Sequence, residues 1–175
     1  TPVITKSFGY NFLKGNNPNS SVEGYEQFDL NIQNKLENLP RDKYYTINSD
    51  KILFSEGMKN IRNNPEYFFL LFIKKFLSFI FLDLNSTYPN YYHPLHYVPN
   101  ILIGITSIIG IVLSYKKSNK LNYLILFFLI YISIVALFFI LPRYKLAILP
   151  LQIIFSGILF DYIKSKFFKK NDKNI

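Results

Sequence analysis

Three long apolar runs dominate the second half of the chain. Val98 to Tyr115 has 18 residues without a charge, Leu121 to Leu141 has 21, and Leu146 to Ile163 has 18 with Asp161 as its single charge. In an α-helix, 18 residues reach roughly 27 Å, close to the thickness of the hydrocarbon core of a bilayer. The pattern therefore predicts an all-α integral membrane protein with about three transmembrane helices within residues 98–163.

A fourth apolar stretch, Tyr67 to Leu82, is interrupted at its centre by Lys74 and Lys75. Two lysines near the centre of a membrane helix cost roughly 5–7 kcal/mol, which the surrounding apolar residues can about offset, so energy leaves a spanning helix and a surface helix both open. We favour an interfacial or partly inserted amphipathic helix, because paired lysines can extend to one surface while the Phe-rich face stays among acyl chains. Asn64 suits the N-cap position of this helix, and Pro65 suits its first helical position.

Charge is distributed unevenly and sets the predicted orientation. The formal net charge is +9, and all of it falls in residues 67–175, because residues 1–66 hold eight basic and eight acidic side chains. Lysines follow the first and third predicted spans, namely Lys116, Lys117 and Lys120, then Lys164, Lys166, Lys169, Lys170 and Lys173. The positive-inside rule places both clusters in the cytoplasm, and the 142–145 turn and everything just before Val98 outside. We expect a bacterial plasma membrane protein with a cytoplasmic C-terminus.

Residues 1–66 are predicted to form an outward-facing, irregular or short-helical segment. Gln27 to Leu36 suits a weak amphipathic helix, and Ser55 to Asn63 suits a second short helix with Ser55 as its cap. The chain thus divides into an outer segment (1–66), an interfacial helix with an outer loop (67–97), three membrane helices (98–163) and a basic tail (164–175). Because the chain starts at Thr1 with no charged and apolar leader, we expect a fragment of a larger polytopic protein.

Composition excludes several classes of function. The chain has no cysteine, which excludes a disulfide scaffold, a thiol enzyme and a cysteine-based metal site. The basic residues accompany the apolar runs, so they indicate membrane topology and contact with membrane lipids, and no nucleic-acid partner is expected. His93 and His96 form HxxH without a third ligand, which favours an interfacial belt of Tyr and His over a metal site.

Two stretches carry candidate chemistry. Gly15-Asn16-Asn17-Pro18-Asn19 predicts a compact turn whose amides and backbone N–H groups point outward, where they hold sugar hydroxyls or an anion, or form a turn and nothing more. Pro142-Arg143-Tyr144-Lys145 places two cations at a membrane boundary, where they anchor a helix or bind phosphate. The predicted orientation puts this pair on the outer face, against the positive-inside bias, which favours a specific anion.

These two stretches, in this order, resemble the C-terminal half of the GT-C superfamily of lipid-sugar-dependent glycosyltransferases. The resemblance is to glycosyltransferase family 39, the dolichyl-phosphate-mannose protein mannosyltransferases, and to the aminoarabinose-transferase-like group. It covers Gly9 to Tyr25, Gly57 to Phe76 and a terminal signature similar to Arg-Tyr-Arg-x-Pro followed by an apolar span with a second Pro. Here the signature reads Arg143-Tyr144-Lys145-Leu146-Ala147, with Lys in place of the second Arg and with Pro150 retained.

The resemblance implies a parent enzyme that transfers a sugar from a polyprenyl-phosphate donor to a lipid, glycan or protein acceptor outside the membrane, with inversion. It implies a catalytic acidic residue in a region absent from this chain, so no catalytic residue is named here. The cofactor is unknown beyond a divalent ion bound mainly by that absent region. The substrate-binding residues that it implies are Arg143 and Lys145 as phosphate countercharges, Tyr144 as a wall, and Gly15, Asn16, Asn17 and Asn19 as sugar or acceptor surface. The alternatives are a membrane module of a polysaccharide flippase, polymerase or other transport protein, and a structural anchor.

Overall fold

A computed structural model describes residues 7–115 and 119–171, with the side chains described as far as Phe167. Of these described residues, 73% are helical and none belongs to a strand. The all-α prediction is therefore confirmed. The helices are α1 (Phe8–Gly15), α2 (Leu30–Glu37), α3 (Tyr45–Asn63), α4 (Pro65–Ile80), α5 (Pro94–Ser114), α6 (Asn119–Ala136) and α7 (Leu149–Asn171), with a 3₁₀ helix at Pro142–Ala147.

The described residues fall into two compact units, and the boundaries between the units pass through α4 and α6. The first unit contains the residues up to Ser78 and the separate stretch Ser133–Leu141, and the second contains Phe79–Ile132 and the residues from Pro142 onward. These units divide the chain at other points than the four segments predicted from the sequence. Residues 133–141 pack with residues that are distant in sequence, and the composition of a segment cannot predict such a contact.

In the first unit, α1 packs closely on α3. The Asp50 side chain, from α3, accepts a hydrogen bond from the Gly9 N–H at 2.7 Å and so pairs a free donor at the start of α1. Gly9 is required there, since a Cβ on it would lie 1.9 Å from the Asp50 carbonyl oxygen. The sequence pattern did not predict α1, because its eight residues are fewer than the 11–18 over which helical periodicity is read.

The short helix α2 confirms the predicted amphipathic segment, although it begins three residues later than expected. Its apolar positions Ile32 and Leu36, with the preceding Phe28, pack against the buried Leu13 and Leu53. This spacing of four residues puts the apolar side chains on one face, which is what the sequence pattern indicated.

The prediction for residues 55–63 was wrong in its boundary. The helix α3 runs from Tyr45 to Asn63, so Ser55 lies inside it and caps nothing. The Ser55 hydroxyl instead donates to the Ile52 carbonyl at 2.8 Å, a local hydrogen bond that lets serine remain in a helix.

The start of α4 is as predicted. Pro65 is its first residue, and the Asn64 side-chain oxygen accepts a hydrogen bond from the Tyr67 N–H at 3.3 Å. Asparagine at the cap and proline at the first position are both favourable, because one supplies an acceptor and the other lacks a donor that would be unpaired. The interfacial position of α4 stays a prediction.

In the second unit, α5 and α7 are in close contact through small residues. Gly104, Ser107, Gly110 and Ser114 are all buried along one side of α5. A Cβ on Gly110 would lie 1.8 Å from the Phe155 carbonyl oxygen of α7. Small residues at such spacing let helix backbones approach closely, which is typical of helix pairs in membranes.

Two of the described helices, α5 and α6, are long and apolar enough to cross a membrane. About 22% of the best window of each is buried, unlike the core helix of a soluble protein, and side chains such as Leu102, Val112 and Phe127 are more than half exposed. Such exposed apolar surface fits contact with acyl chains. These findings support membrane association, and the bacterial plasma membrane and the orientation stay predictions.

The boundaries of the predicted spans need correction. The second span was predicted to reach Leu141, but α6 ends at Ala136 and residues 137–141 are not helical. The third was predicted for Leu146 to Ile163, whereas residues 146–147 belong to the 3₁₀ helix and α7 continues to Asn171. Unlike α5 and α6, α7 is not apolar enough over a membrane-spanning length, because its C-terminal half is polar. A third span therefore stays a prediction.

The topological argument rests partly on residues outside those described. These are Lys116, Lys117 and Lys173, together with the side chains of Lys169 and Lys170. Lys120, Lys164 and Lys166 are described and exposed. The cytoplasmic position of both clusters therefore stays a prediction.

Candidate functional site

The predicted turn follows α1, but Asn16 does not point outward as expected. Asn16 is only 6% exposed, and its side-chain amide donates to the carbonyls of Phe12 at 2.9 Å and Leu137 at 2.8 Å. The last carbonyls of a helix lack partners within the helix, and the Asn16 amide supplies a hydrogen-bond donor to the Phe12 carbonyl. The same amide joins the end of α1 to residues 137–141 in the first unit.

Asn17 is also directed inward, at 3% exposure. Its backbone N–H donates to the Ser20 hydroxyl at 3.0 Å, and its side-chain oxygen accepts a hydrogen bond from the Asn19 N–H at 3.0 Å. Asparagine often folds a turn in this way, by replacing a backbone acceptor with its own side chain. The prediction of outward-facing amides is therefore wrong for Asn16 and Asn17, whereas Asn19 is exposed.

Gly15 is buried at the end of α1, where the backbone of residues 137–141 approaches it. A Cβ on Gly15 would lie 2.1 Å from the Phe138 carbonyl oxygen, so no other residue fits without a shift. Gly15 thus permits a close backbone approach, and it offers no surface to a sugar.

Lys75 is the least expected feature of this unit. It is 1% exposed, and its ammonium group donates to the Gly15 carbonyl at 2.6 Å and to the Phe138 carbonyl. Burial lowers the pKa of Lys75 to about 7, because a low-dielectric environment disfavours the charged form. The prediction that both lysines reach a surface is wrong for Lys75, while Lys74 is exposed.

An apolar cavity of about 640 Å³ lies in the first unit. We name it the Phe cavity, because seven of its thirteen lining residues are phenylalanines. The lining residues are Phe8, Phe12, Asn16, Phe54, Met58, Ile61, Pro65, Phe68, Phe69, Phe72, Ala136, Leu137 and Phe138. They come from α1, α3, α4 and the end of α6 with the residues after it, and Asn16 is the one polar residue in this set.

In the second unit, the predicted signature lies on the 3₁₀ helix Pro142–Ala147. Arg143 is exposed, and its guanidinium carbon lies 5.6 Å from the centre of the Tyr144 ring. Arginine often stacks in this way on an aromatic face, which restricts the guanidinium while its N–H donors stay available.

Lys145 has a different environment from Arg143. Its ammonium group donates to the Phe81 carbonyl, and the buried Gln152 amide donates to the Ile80 carbonyl at 2.9 Å. Ile80 is the last residue of α4 and Phe81 follows it, where carbonyls have no partner within the helix. Burial lowers the pKa of Lys145 to about 8. Lys145 therefore holds the 3₁₀ helix on the end of α4, and Arg143 is the more accessible cation of the predicted pair.

The histidine pair of the predicted outer loop has local partners. His93 precedes α5, and its Nδ1 accepts a hydrogen bond from the Leu95 N–H at 3.3 Å. The His96 Nδ1 lies 2.7 Å from the Tyr91 carbonyl oxygen. No group of three His, Cys, Asp or Glu side chains that could bind a metal occurs among the described residues, so that part of the chain provides no complete metal site.

The substrate-binding residues predicted from the sequence fall into two sets. Gly15, Asn16, Asn17 and Asn19 belong to the first unit, and Arg143, Tyr144 and Lys145 belong to the second. In each unit the structure also shows a buried polar side chain that donates to backbone carbonyls and that the sequence analysis did not single out. These side chains are Lys75 in the first unit and Gln152 in the second. A lysine or glutamine inside an apolar run was the available signal, since such a polar group needs a partner when it is buried.

The comparisons with known proteins add no relative. The chain matches no protein-family model, and searches of curated proteins and of solved structures find no match. The resemblance to GT-C enzymes therefore stays a prediction from the sequence.

Proposed function

We propose that the chain is the C-terminal part of a membrane glycosyltransferase that moves a sugar from a polyprenyl-phosphate donor to a lipid, glycan or protein acceptor. The observation that carries the proposal is the anchored 3₁₀ helix. Lys145 and Gln152 pair the carbonyls at the end of α4, while Arg143 on the same short helix is exposed beside the Tyr144 ring. An accessible guanidinium on an anchored helix suits a phosphate, because its fork of donors matches two phosphate oxygens.

The proposed reaction breaks the bond between the anomeric carbon and the phosphate oxygen of the donor. The acceptor oxygen forms a new bond to that carbon from the opposite side, the bonding electron pair passes to the phosphate, and the acceptor proton passes to a base outside this chain. Negative charge therefore increases on the phosphate in the transition state. Arg143, carried on the anchored 3₁₀ helix, supplies positive charge and hydrogen-bond donors to this phosphate.

Lys145 has a positioning role in this proposal. Its ammonium group is engaged by the Phe81 carbonyl, so its main effect is to hold the 3₁₀ helix that carries Arg143. The sequence analysis assigned both cations to the phosphate. The geometry favours Arg143 as the residue that contacts the donor.

Donor affinity of the full-length parent protein in nanodiscs tests the proposal. Arg143→Ala should weaken binding of a polyprenyl-phosphate sugar by roughly 10–100-fold for each charge-assisted hydrogen bond lost, and Arg143→Lys should restore part of it. Lys145→Met should lower both affinity and thermal stability, because the anchor is lost. Lys166→Ala is the matched control, since Lys166 is an exposed cation of α7.

Two results would contradict the proposal. Unchanged affinity in Arg143→Ala would leave Arg143 as an interfacial anchor, as would an equal loss in Lys166→Ala. Movement of the lipid-linked sugar across the bilayer without transfer to an acceptor would favour the flippase or transport alternative.

A further inference from the structure

The Phe cavity has a lining that excludes polar ligands. Asn16 is its one polar residue, and the Asn16 amide nitrogen is already bonded to the Phe12 and Leu137 carbonyls. The Phe138 carbonyl accepts from Lys75. Three carbonyls of lining residues and the one side-chain amide are thus engaged within the protein. A sugar or phosphate here would lose hydration without replacement hydrogen bonds, which is costly.

The same property disfavours an extended peptide. An extended peptide needs hydrogen-bond partners for its own N–H and C=O groups, whereas the lining of the Phe cavity provides mainly aromatic rings and aliphatic groups. A hydrocarbon chain has no such requirement. A chain that enters from the bilayer gives up no hydrogen bonds, and it supplies van der Waals partners to rings that an empty cavity would leave without them.

The cavity continues into an exposed apolar face of α4. Phe69 lines the cavity and is 64% exposed, and Ile73 and Leu77 follow it at intervals of four residues at 38% and 48% exposure. Residues four apart lie on one side of a helix, so these three side chains form a stripe that begins at the cavity. A stripe of this kind fits contact with acyl chains at a membrane surface.

The volume indicates one chain. A cavity of about 640 Å³ falls within the range of roughly 300–1,000 Å³ for sites of small ligands. A single acyl chain of ordinary length is of this size, whereas a long polyprenyl chain exceeds it.

We propose that the Phe cavity holds one acyl chain of a membrane phospholipid, whose headgroup stays outside the cavity. The bound chain covers the rings of α1, α3 and α4 and fixes the first unit to the bilayer. This inference goes beyond the proposed transferase and does not depend on it, because it concerns a structural lipid and not the sugar donor.

Photolabelling of the full-length protein in nanodiscs tests the proposal. The probe is a phosphatidylcholine that carries a diazirine midway along one acyl chain, and labelled positions are read by peptide mass spectrometry. We expect labels on cavity residues such as Met58 and Phe68. Met58→Trp should reduce the label on Phe68 by roughly tenfold, because the larger indole obstructs the path of the chain. Leu70→Trp is the matched control, since Leu70 is 60% exposed on α4 and does not line the cavity.

Each outcome distinguishes the possible occupants. Labels confined to Leu70 and Leu77, or cavity labels unchanged in a folded Met58→Trp protein, would overturn the proposal. Loss of the cavity labels on addition of polyprenyl phosphate at a ratio of one to one would also overturn it, because the donor would then be the occupant. If Met58→Trp does not fold, Ile61→Trp replaces it, and the labelled positions of the wild type decide alone whether the cavity contains a chain. Failure here would leave the Arg143 test unaffected.

Discussion

Replacement of Lys75 by methionine should change stability in a pH-dependent way. Methionine keeps most of the length and volume of lysine but can neither donate a hydrogen bond nor carry a charge. In the wild type, the Lys75 ammonium group donates to the Gly15 and Phe138 carbonyls, and burial lowers its pKa from 10.5 to about 7. The substitution therefore removes both a favourable and an unfavourable contribution to the free energy of unfolding.

The two contributions depend differently on pH. Between pH 7 and 10.5 the unfolded chain binds more protons at Lys75 than the folded chain does, so wild-type stability rises with pH in this window. The cost of burying the group is about 4 kcal/mol at pH 7 and about 1 kcal/mol at pH 9.5. The two carbonyls left without their donor cost about 1–3 kcal/mol each at either pH. Lys75→Met should thus be about as stable as the wild type at pH 7 and clearly less stable at pH 9.5.

Thermal unfolding in detergent micelles, followed by circular dichroism at both pH values, measures this difference. The gap between variant and wild type should widen by about 3 kcal/mol from pH 7 to 9.5, or roughly 6–12 °C in Tm. Lys74→Met is the matched control, because Lys74 is the exposed neighbour on the same helix. A gap that does not change with pH, or that Lys74→Met reproduces, would refute the reasoning about Lys75.

Two further predictions concern helix packing and topology. Gly110→Ala should lower the stability of the protein by roughly 1–3 kcal/mol, since its Cβ would lie 1.8 Å from a backbone oxygen of α7, whereas Gly157→Ala should be neutral or slightly stabilising because nothing lies within 4 Å. Equal Tm changes in the two variants would contradict the close approach of α5 and α7. Single cysteines at Asn19 and Leu84, both exposed, should react with an impermeant maleimide from outside intact cells, and one at Lys166 only after permeabilisation. Reaction of Asn19 and Leu84 from opposite sides would show that α4 spans the membrane.

The sequence predicted those elements whose formation depends on residues close together in the chain. The start of α4 at Asn64 and Pro65 was correct, because a cap and a first-turn proline act within one helical turn. The apolar runs that became α5 and α6 were also correct in kind, since length and hydropathy are local properties. The end of α6 at Ala136 was missed, because an uncharged apolar run continues past it to Leu141.

The turn after α1 shows where the sequence reasoning failed. Glycine and asparagines correctly predicted a turn at residues 15–19, yet the direction of the Asn16 amide depended on Leu137, which is 121 residues away. An amide that faces solvent and one that pairs a buried carbonyl have the same local sequence. Only the approach of the 137–141 backbone distinguishes them.

The sequence by itself determined the helical class, the apolar runs, the start of α4 and the two cations at 143 and 145. The tertiary structure decided which polar groups are buried and what they bind. Lys75 and Lys74 are adjacent and chemically identical, but one is buried against two carbonyls and the other is exposed. Helix periodicity puts neighbouring residues on different sides of α4. The two carbonyls that need a donor, at the end of α1 and in the segment after α6, reach Lys75 only once the chain has folded.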